Sequence, residues 1–310
     1  MARFAANGIE IEAESHGDPA APAVLLIMGL GMQLSAWPDE LIAGLLEHGL
    51  RVITFDNRDT GLSTKFDDFA PISMVQAFWR YTLGLRVRAP YRLDDMATDA
   101  AALLDALGIA RAHVVGASMG GMIGQQLAAR HPGRVLTLTS IMSTTGSRAT
   151  SRPTPAAGRA LMRRPPHGAT IDQLIAHYVG LLRVIGSPAY PSPDAALHER
   201  LRRSLQRSWH PAGIARQLLA VMASGDRTAA VRTIRAPTLV IHGEADPLVP
   251  VRAGQDTAAK IPGARLHLIA GMGHDLPPGL VPVLVASICA HIAAHRGGYA
   301  AVPVPARLGI

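Results

Sequence analysis

The chain has 310 residues, 48% hydrophobic and 17% charged, the composition of a globular protein that can bury one large core, or one core plus an inserted subdomain. No stretch approaches the roughly 18 uninterrupted apolar residues of a membrane span, and Met1-Ala2-Arg3-Phe4 turns polar too soon for a signal peptide. The formal charge of +7 is concentrated in residues 141–233, which hold 13 Arg and no Lys against Asp172, Asp194, Glu199 and Asp226; without an aromatic platform or a basic recognition helix, these arginines argue solvation or non-specific anion attraction, with steering of an acidic substrate or anionic surface as the alternative, and not a nucleic-acid partner.

Along the chain, residues 3–6 and 9–13 flank Asn7-Gly8, the signature of a hairpin closed by a type I′ turn. Val24-Leu25-Leu26-Ile27-Met28 is apolar without alternation, so it reads as a strand buried on both faces. Residues 52–55, 112–115, 135–138, 238–241 and 266–269 repeat that character. Helical patterns lie at 39–48, 93–107, 119–131, 251–260 and 280–295. Apolar strands alternating with helices imply an α/β fold, a mostly parallel sheet covered by helices on both faces. The pattern breaks after Ile141 and resumes at Pro237. Between them, a Ser/Thr-rich stretch and several prolines precede helical segments near 171–185 and 194–208, which suggests a helical cap set between two strands. The expected division is a core at 1–142, a cap at 143–233, the rest of the core at 234–296 and a surface tail at 297–310. The irregular stretch 65–91 carries Met74, Phe78, Trp79, Tyr81 and Leu85, spaced for a short helix over the opening or for packing beneath the cap. A homodimer through the cap or the sheet edge stays open.

Gly116-Ala117-Ser118-Met119-Gly120 falls where a buried strand must turn sharply into a helix. A serine at that corner is pushed out of the sheet, and glycines two before and two after let the backbone turn without clashes. Its hydroxyl needs a base, the base an orienting acid, and the developing anion needs donors. Among 13 histidines, His274 stands out, on a glycine-bearing loop after a strand, in Gly271-Met272-Gly273-His274. Asp246 lies just past another strand end, where acids line the crevice of open α/β sheets. Glu244 competes for that role but sits earlier on the loop. The Met119 N–H at the helix start and the Leu30 N–H of Met28-Gly29-Leu30-Gly31-Met32 are the expected oxyanion donors. Gly29, Gly31, Met32 and Trp79 are the expected substrate contacts. The glycine loop lacks the full GxGxxG spacing of a dinucleotide site, and no HExxH or cysteine cluster suggests a metal, so no cofactor is expected. Asp56-Asn57-Arg58-Asp59-Thr60-Gly61 reads as a polar turn locking neighbouring loops. The single cysteine, Cys289, falls in the apolar pattern of the last helix and reads as core; its solitude fits a reducing, cytoplasmic setting.

These pieces, with Leu26-Ile27-Met28-Gly29 and Ser35-Ala36-Trp37-Pro38, resemble the α/β-hydrolase superfamily and, within it, cap-bearing esterases such as the aclacinomycin methylesterases. The resemblance runs from about Ala5 to His295. It implies a nucleophile at Ser118, an acid at Asp246 and a base at His274, in that chain order. Glycine stands in the methylesterases where this chain has Leu30, which implies a reshaped acyl pocket with the backbone donor kept. The activity implied is hydrolysis of a hydrophobic small-molecule ester through an acyl-enzyme. A carbon–carbon bond hydrolase, a perhydrolase or cofactor-free haloperoxidase, and a non-catalytic ligand-binding protein are the alternatives.

Overall fold

The computed structural model describes residues 2–70 and 72–295, so the tail expected at 297–310 lies outside them. Eight strands form one sheet: β1 (Ala2–Ala6), β2 (Ile9–His16), β3 (Ala23–Ile27), β4 (Arg51–Phe55), β5 (Ala112–Ala117), β6 (Val135–Ile141), β7 (Thr238–Gly243) and β8 (Arg265–Ile269). Their order is β1-β2-β4-β3-β5-β6-β7-β8. The β1–β2 and β2–β4 pairs are antiparallel and every other pair is parallel. Asn7 and Gly8 both take positive φ, +51° and +75°, as the two-residue hairpin turn requires.

The helices are α1 (Asp39–Glu47), α2 (Met74–Thr82), α3 (Leu93–Ala106), α4 (Met119–Arg130), α5 (Pro155–Met162), α6 (Ile171–Ile185), α7 (Asp194–Arg207), α8 (Pro211–Ser224), α9 (Thr228–Val231), α10 (Val251–Lys260) and α11 (Val281–Ala293). Successive residues of a strand point to opposite faces, and β3 has a core on each. Leu25 and Ile27 pack with Leu103 of α3 and Ile123 of α4. Val24 and Leu26 pack with Leu41 and Leu45 of α1 and Leu284 and Ile288 of α11. That double burial is why β3 reads as an unbroken apolar run. Cys289 is buried in the second of these cores.

Five helices, α5 to α9, fill the interval between β6 and β7. The sequence pattern anticipates α6 and α7, which pack together through Ile175, Val179, Leu197 and Leu201. It misses α5 and α8. Both begin at a proline, which fixes φ at a helical value and lacks only an N–H that the first turn leaves unpaired anyway. Those prolines start helices instead of breaking them. Among the described residues, no helix is long and apolar enough to cross a membrane.

Candidate active site

Ser118 sits between β5 and α4 with φ +55° and ψ −119°, a region that side-chain-bearing residues rarely enter and that costs about 1–3 kcal/mol. The surroundings hold it there. Its N–H donates to Ile141 O at 2.9 Å, and its carbonyl accepts from the Ser143 hydroxyl at 2.8 Å. The flanking glycines are a steric necessity. A Cβ on Gly116 would lie 2.2 Å from Gly120 O, and one on Gly120 would lie 1.9 Å from Ile27 O.

The 271–274 loop brings His274 over the strand ends, 8% exposed. Its Nε2 lies 2.9 Å from Ser118 Oγ and its Nδ1 lies 2.7 Å from Asp246 Oδ2. Asp246 is itself fixed, since its other oxygen accepts the Leu248 and Val249 N–H groups at 2.9 and 2.8 Å. A carboxylate so engaged makes Nδ1 the protonated nitrogen and leaves Nε2 to accept the serine proton. Glu244, the competing acid, is exposed to solvent. Beneath Asp246 lies His242, fully buried, with Nε2 donating to Val249 O at 2.7 Å. Burial pushes the His242 imidazolium down in pKa, so the ring stays neutral and puts no second cation beside Asp246.

Opposite the histidine, the 28–32 loop passes close to the serine: a Cβ on Gly29 would lie 3.2 Å from Ser118 Cβ. Among the described residues, no hydrogen bond engages the N–H of Leu30 or of Met119. The Gly31 N–H, by contrast, donates to Gln217 Oε1 at 2.8 Å. Gln217 Nε2 donates in turn to Arg58 O and Thr60 Oγ1, each at 2.7 Å. Gln33 Nε2 bonds the Ser204 and Ser208 carbonyls at 2.7 and 2.9 Å, and Arg207 bonds Asp56 and Gln33, each at 2.7 Å. Helices α7 and α8 therefore hold the loop beside Ser118.

The 56–61 turn is a buried polar lattice. Arg58 grips Asp99 through two bonds of 2.6 and 2.5 Å and lies 5.0 Å from the ring centres of both Phe66 and Tyr91. Burial alone would raise the Asp59 carboxyl, but hydrogen bonds from Arg216, Tyr91 and the Phe66 N–H outweigh it and hold its pKa below the usual range. Among the described residues, no group of three or more His, Cys, Asp or Glu side chains could hold a metal ion.

A strained serine at a strand-to-helix corner, hydrogen-bonded to a histidine and through it to an aspartate, suits nucleophilic displacement at a carbonyl. Residues 22–211 match the family model described as the alpha/beta hydrolase fold. The chain is an α/β-hydrolase. It is 33% identical over 304 residues to the rhodomycin D methylesterase DauP of Streptomyces sp. (strain C5), covering 91% of this chain and 95% of that protein. The enol-lactonase from Burkholderia xenovorans LB400 superposes with a TM-score of 0.67 at 24% identity, over 94% of this chain and 100% of that one. The meta-cleavage product hydrolase CumD from Pseudomonas fluorescens IP01, in a mutant form complexed with acetates, superposes with a TM-score of 0.73 at 21% identity, over 95% and 98%. At those identities, the two structures speak for the fold.

In this hydrolase, the structure brings Ser118, His274 and Asp246 together and sets Gly29 against the serine, while Gly31 faces Ile214 and Gln217 and Met32 is 36% exposed. Trp79 stands apart: it is 62% exposed on α2, whose buried residue Ala77 faces α8. Sequence reading missed the residues that steady the loops. His274 N–H donates to Ile185 O at 2.6 Å, and Gly273 N–H to Ser187 Oγ at 2.9 Å, both at or beyond the end of α6. Ser187 also donates to Asp275 through its N–H and hydroxyl. The available signal was Gln217 itself, a polar residue on the buried side of an apolar helix.

Proposed function

We propose that this protein is a serine carboxylesterase acting on a hydrophobic small-molecule ester through an acyl-enzyme intermediate. One observation carries the reading, the chain of contacts from Ser118 Oγ to His274 Nε2 at 2.9 Å and from His274 Nδ1 to Asp246 Oδ2 at 2.7 Å. His274 takes the Ser118 proton as Oγ bonds to the ester carbonyl carbon. The Leu30 and Met119 N–H groups receive the oxyanion; each such donor is worth about 3 kcal/mol of transition-state stabilisation. The carbon–alkoxy bond then breaks, and the alcohol leaves with the proton from His274. Water attacks the acyl-enzyme by the same route, giving its proton to His274 and releasing the acid and free Ser118.

The DauP relative, named as a methylesterase, favours a carboxylic methyl ester as the bond cleaved. Gly29 and Gly31 give the acyl group close backbone approach, and Leu30, Met32 and Met119 offer it apolar, polarisable walls. The helices between β6 and β7 act as a cap, and through Gln33 and Gln217 they hold the oxyanion loop.

The test is hydrolysis of a chain-length series of p-nitrophenyl esters by the wild type and by Ser118→Ala. Labelling with a fluorophosphonate, followed by peptide mass spectrometry, runs beside it. Turnover by the wild type, loss of roughly 10⁶-fold in the variant and a phosphonyl adduct on Ser118 would support the reading. A folded wild type that cleaves no ester and takes no label would end it.

A further inference from the structure

Helix α2 is attached to the molecule by one side only. Ala77 is buried there, and Met74 and Tyr81 pack with it against Leu219 and Met222 of α8. The other side carries Val75, Phe78, Trp79 and, just past the helix, Leu83, at 67, 47, 62 and 69% exposure. Positions 75, 78, 79 and 83 fall on one helical stripe. Leu85 extends the surface at 51% exposure. Contiguous apolar side chains of this size facing water mark an interaction surface.

The charge around the stripe is of one sign. Between residues 69 and 93 stand Arg80, Arg86, Arg88 and Arg92, and no acid. Arg86, Arg88 and Arg92 are exposed. Arg148 reaches the same helix end, donating to the Tyr81 and Thr82 carbonyls. At the margin, Asp67 and Asp94 are ion-paired with Arg216 and Arg130, while Asp68, Asp95 and Asp226 keep their charge, the last two accepting from the Arg92 N–H and the Thr228 hydroxyl. Along the stripe itself, residues 69–93 together with Arg148 carry positive charge only.

We propose that α2 and the following turn dock on an anionic lipid surface. The aromatic and aliphatic stripe would enter the headgroup boundary while the arginines meet the lipid phosphates. Charge selects this occupant. A second copy of the chain seated on the same patch would bring two sets of arginines together, and an uncharged partner would leave them unused. The proposal does not depend on the esterase reading, because docking needs only α2 and its flanking arginines.

The experiment is flotation of the full chain with phosphatidylglycerol–phosphatidylcholine vesicles and with pure phosphatidylcholine vesicles, at about 0.1 M and about 1 M salt. The wild type should float with the anionic vesicles at low salt and stay behind in the other conditions. Each arginine near the surface contributes on the order of fivefold in partitioning, so Arg86→Gln with Arg88→Gln should lower it roughly 25-fold. Val75→Ser, Phe78→Ser and Leu83→Ser together should abolish flotation while leaving hydrolysis of a short soluble ester unchanged. Absence of flotation by the folded wild type would overturn the proposal. A concentration-dependent dimer lost in the triple variant would overturn it in favour of self-association.

Discussion

Gln217 offers the sharpest test of how the oxyanion loop is held. The side chain is fully buried and makes three hydrogen bonds of 2.7–2.8 Å, to the Gly31 N–H, Arg58 O and Thr60 Oγ1. Gln217→Leu keeps much of the volume and removes all three. The Thr60 hydroxyl can rotate to another partner, but the Arg58 carbonyl would stay buried without one and the half-buried Gly31 N–H would lose its acceptor. An unsatisfied buried group costs about 1–3 kcal/mol, and the leucine regains part of that by removing the amide's own desolvation penalty. A net loss of about 2–4 kcal/mol is expected, read from urea denaturation. The kinetic effect should be separable. If the Gly31 bond sets the position of the neighbouring Leu30 N–H, kcat should fall at least roughly tenfold, part of the about 10²–10³ lost with a whole donor, while KM changes little. Gln217→Glu retains the acceptor for Gly31 and loses both donors, so it should keep more of kcat than leucine does. A leucine variant with the expected stability loss and an unchanged kcat would refute the reasoning, leaving Gln217 as an adhesive between cap and core.

Three further outcomes follow from named contacts. Asp246→Asn should lower kcat/KM on the order of 10³–10⁴-fold with the fold intact, because an amide facing Nδ1 no longer enforces the tautomer that leaves Nε2 free; circular dichroism and ester kinetics check it. Gly120→Ala should cost at least about 3 kcal/mol or prevent folding, since the new methyl would meet the Ile27 backbone at 1.9 Å, whereas Gly133→Ala has open space and should stay within about 0.5 kcal/mol of wild type. Burial lowers the His291 pKa from 6.5 to about 4, so the folded state binds that proton less readily than the unfolded chain. Its contribution to stability is whole above about pH 6.5 and is lost as pH falls towards 4, by roughly 2 kcal/mol between pH 7.5 and 5. His291→Gln, which keeps a donor for Pro237 O, should flatten the pH dependence of the denaturation free energy by about that amount.

The sheet was legible because burial on both faces leaves a strand few polar positions: β3 has none, and the few in β4 to β7, among them the buried Thr54, His113, Thr139 and His242, do not break the apolar runs. Ser118 and Asp246 stand out in the sequence because each follows such a strand, where the chain must leave the core; His274 follows β8, an edge strand exposed along much of its length, and stands out by its glycine-bearing loop instead. What escaped the sequence depends on contacts between distant segments. Gln217 lies 186 residues from Gly31, and Ser187 lies 86 from Gly273. A glutamine on the apolar side of a helix, as Gln217 is, signals a buried polar contact, but no local pattern names its distant partner. For residues 65–91 the apolar spacing leaves two readings, a short helix over the opening and packing beneath the cap, and only the partner surface, which meets α2 on one side alone through α8, decides which residues stay exposed.

These long-range contacts share a logic. The two loops beside Ser118 are both tied to the segment between β6 and β7, the 28–32 loop through Gln217 and, by way of Gln33, Ser204, and the 271–274 loop through Ile185, Ser187 and Ala189. Neither loop is part of the sheet, so neither inherits its position from strand register. Hydrogen bonds from the segment between β6 and β7 supply that position. On the esterase reading proposed above, substitutions in α6 or α8 that remove the partners of Gln217 or Ser187 should therefore lower kcat.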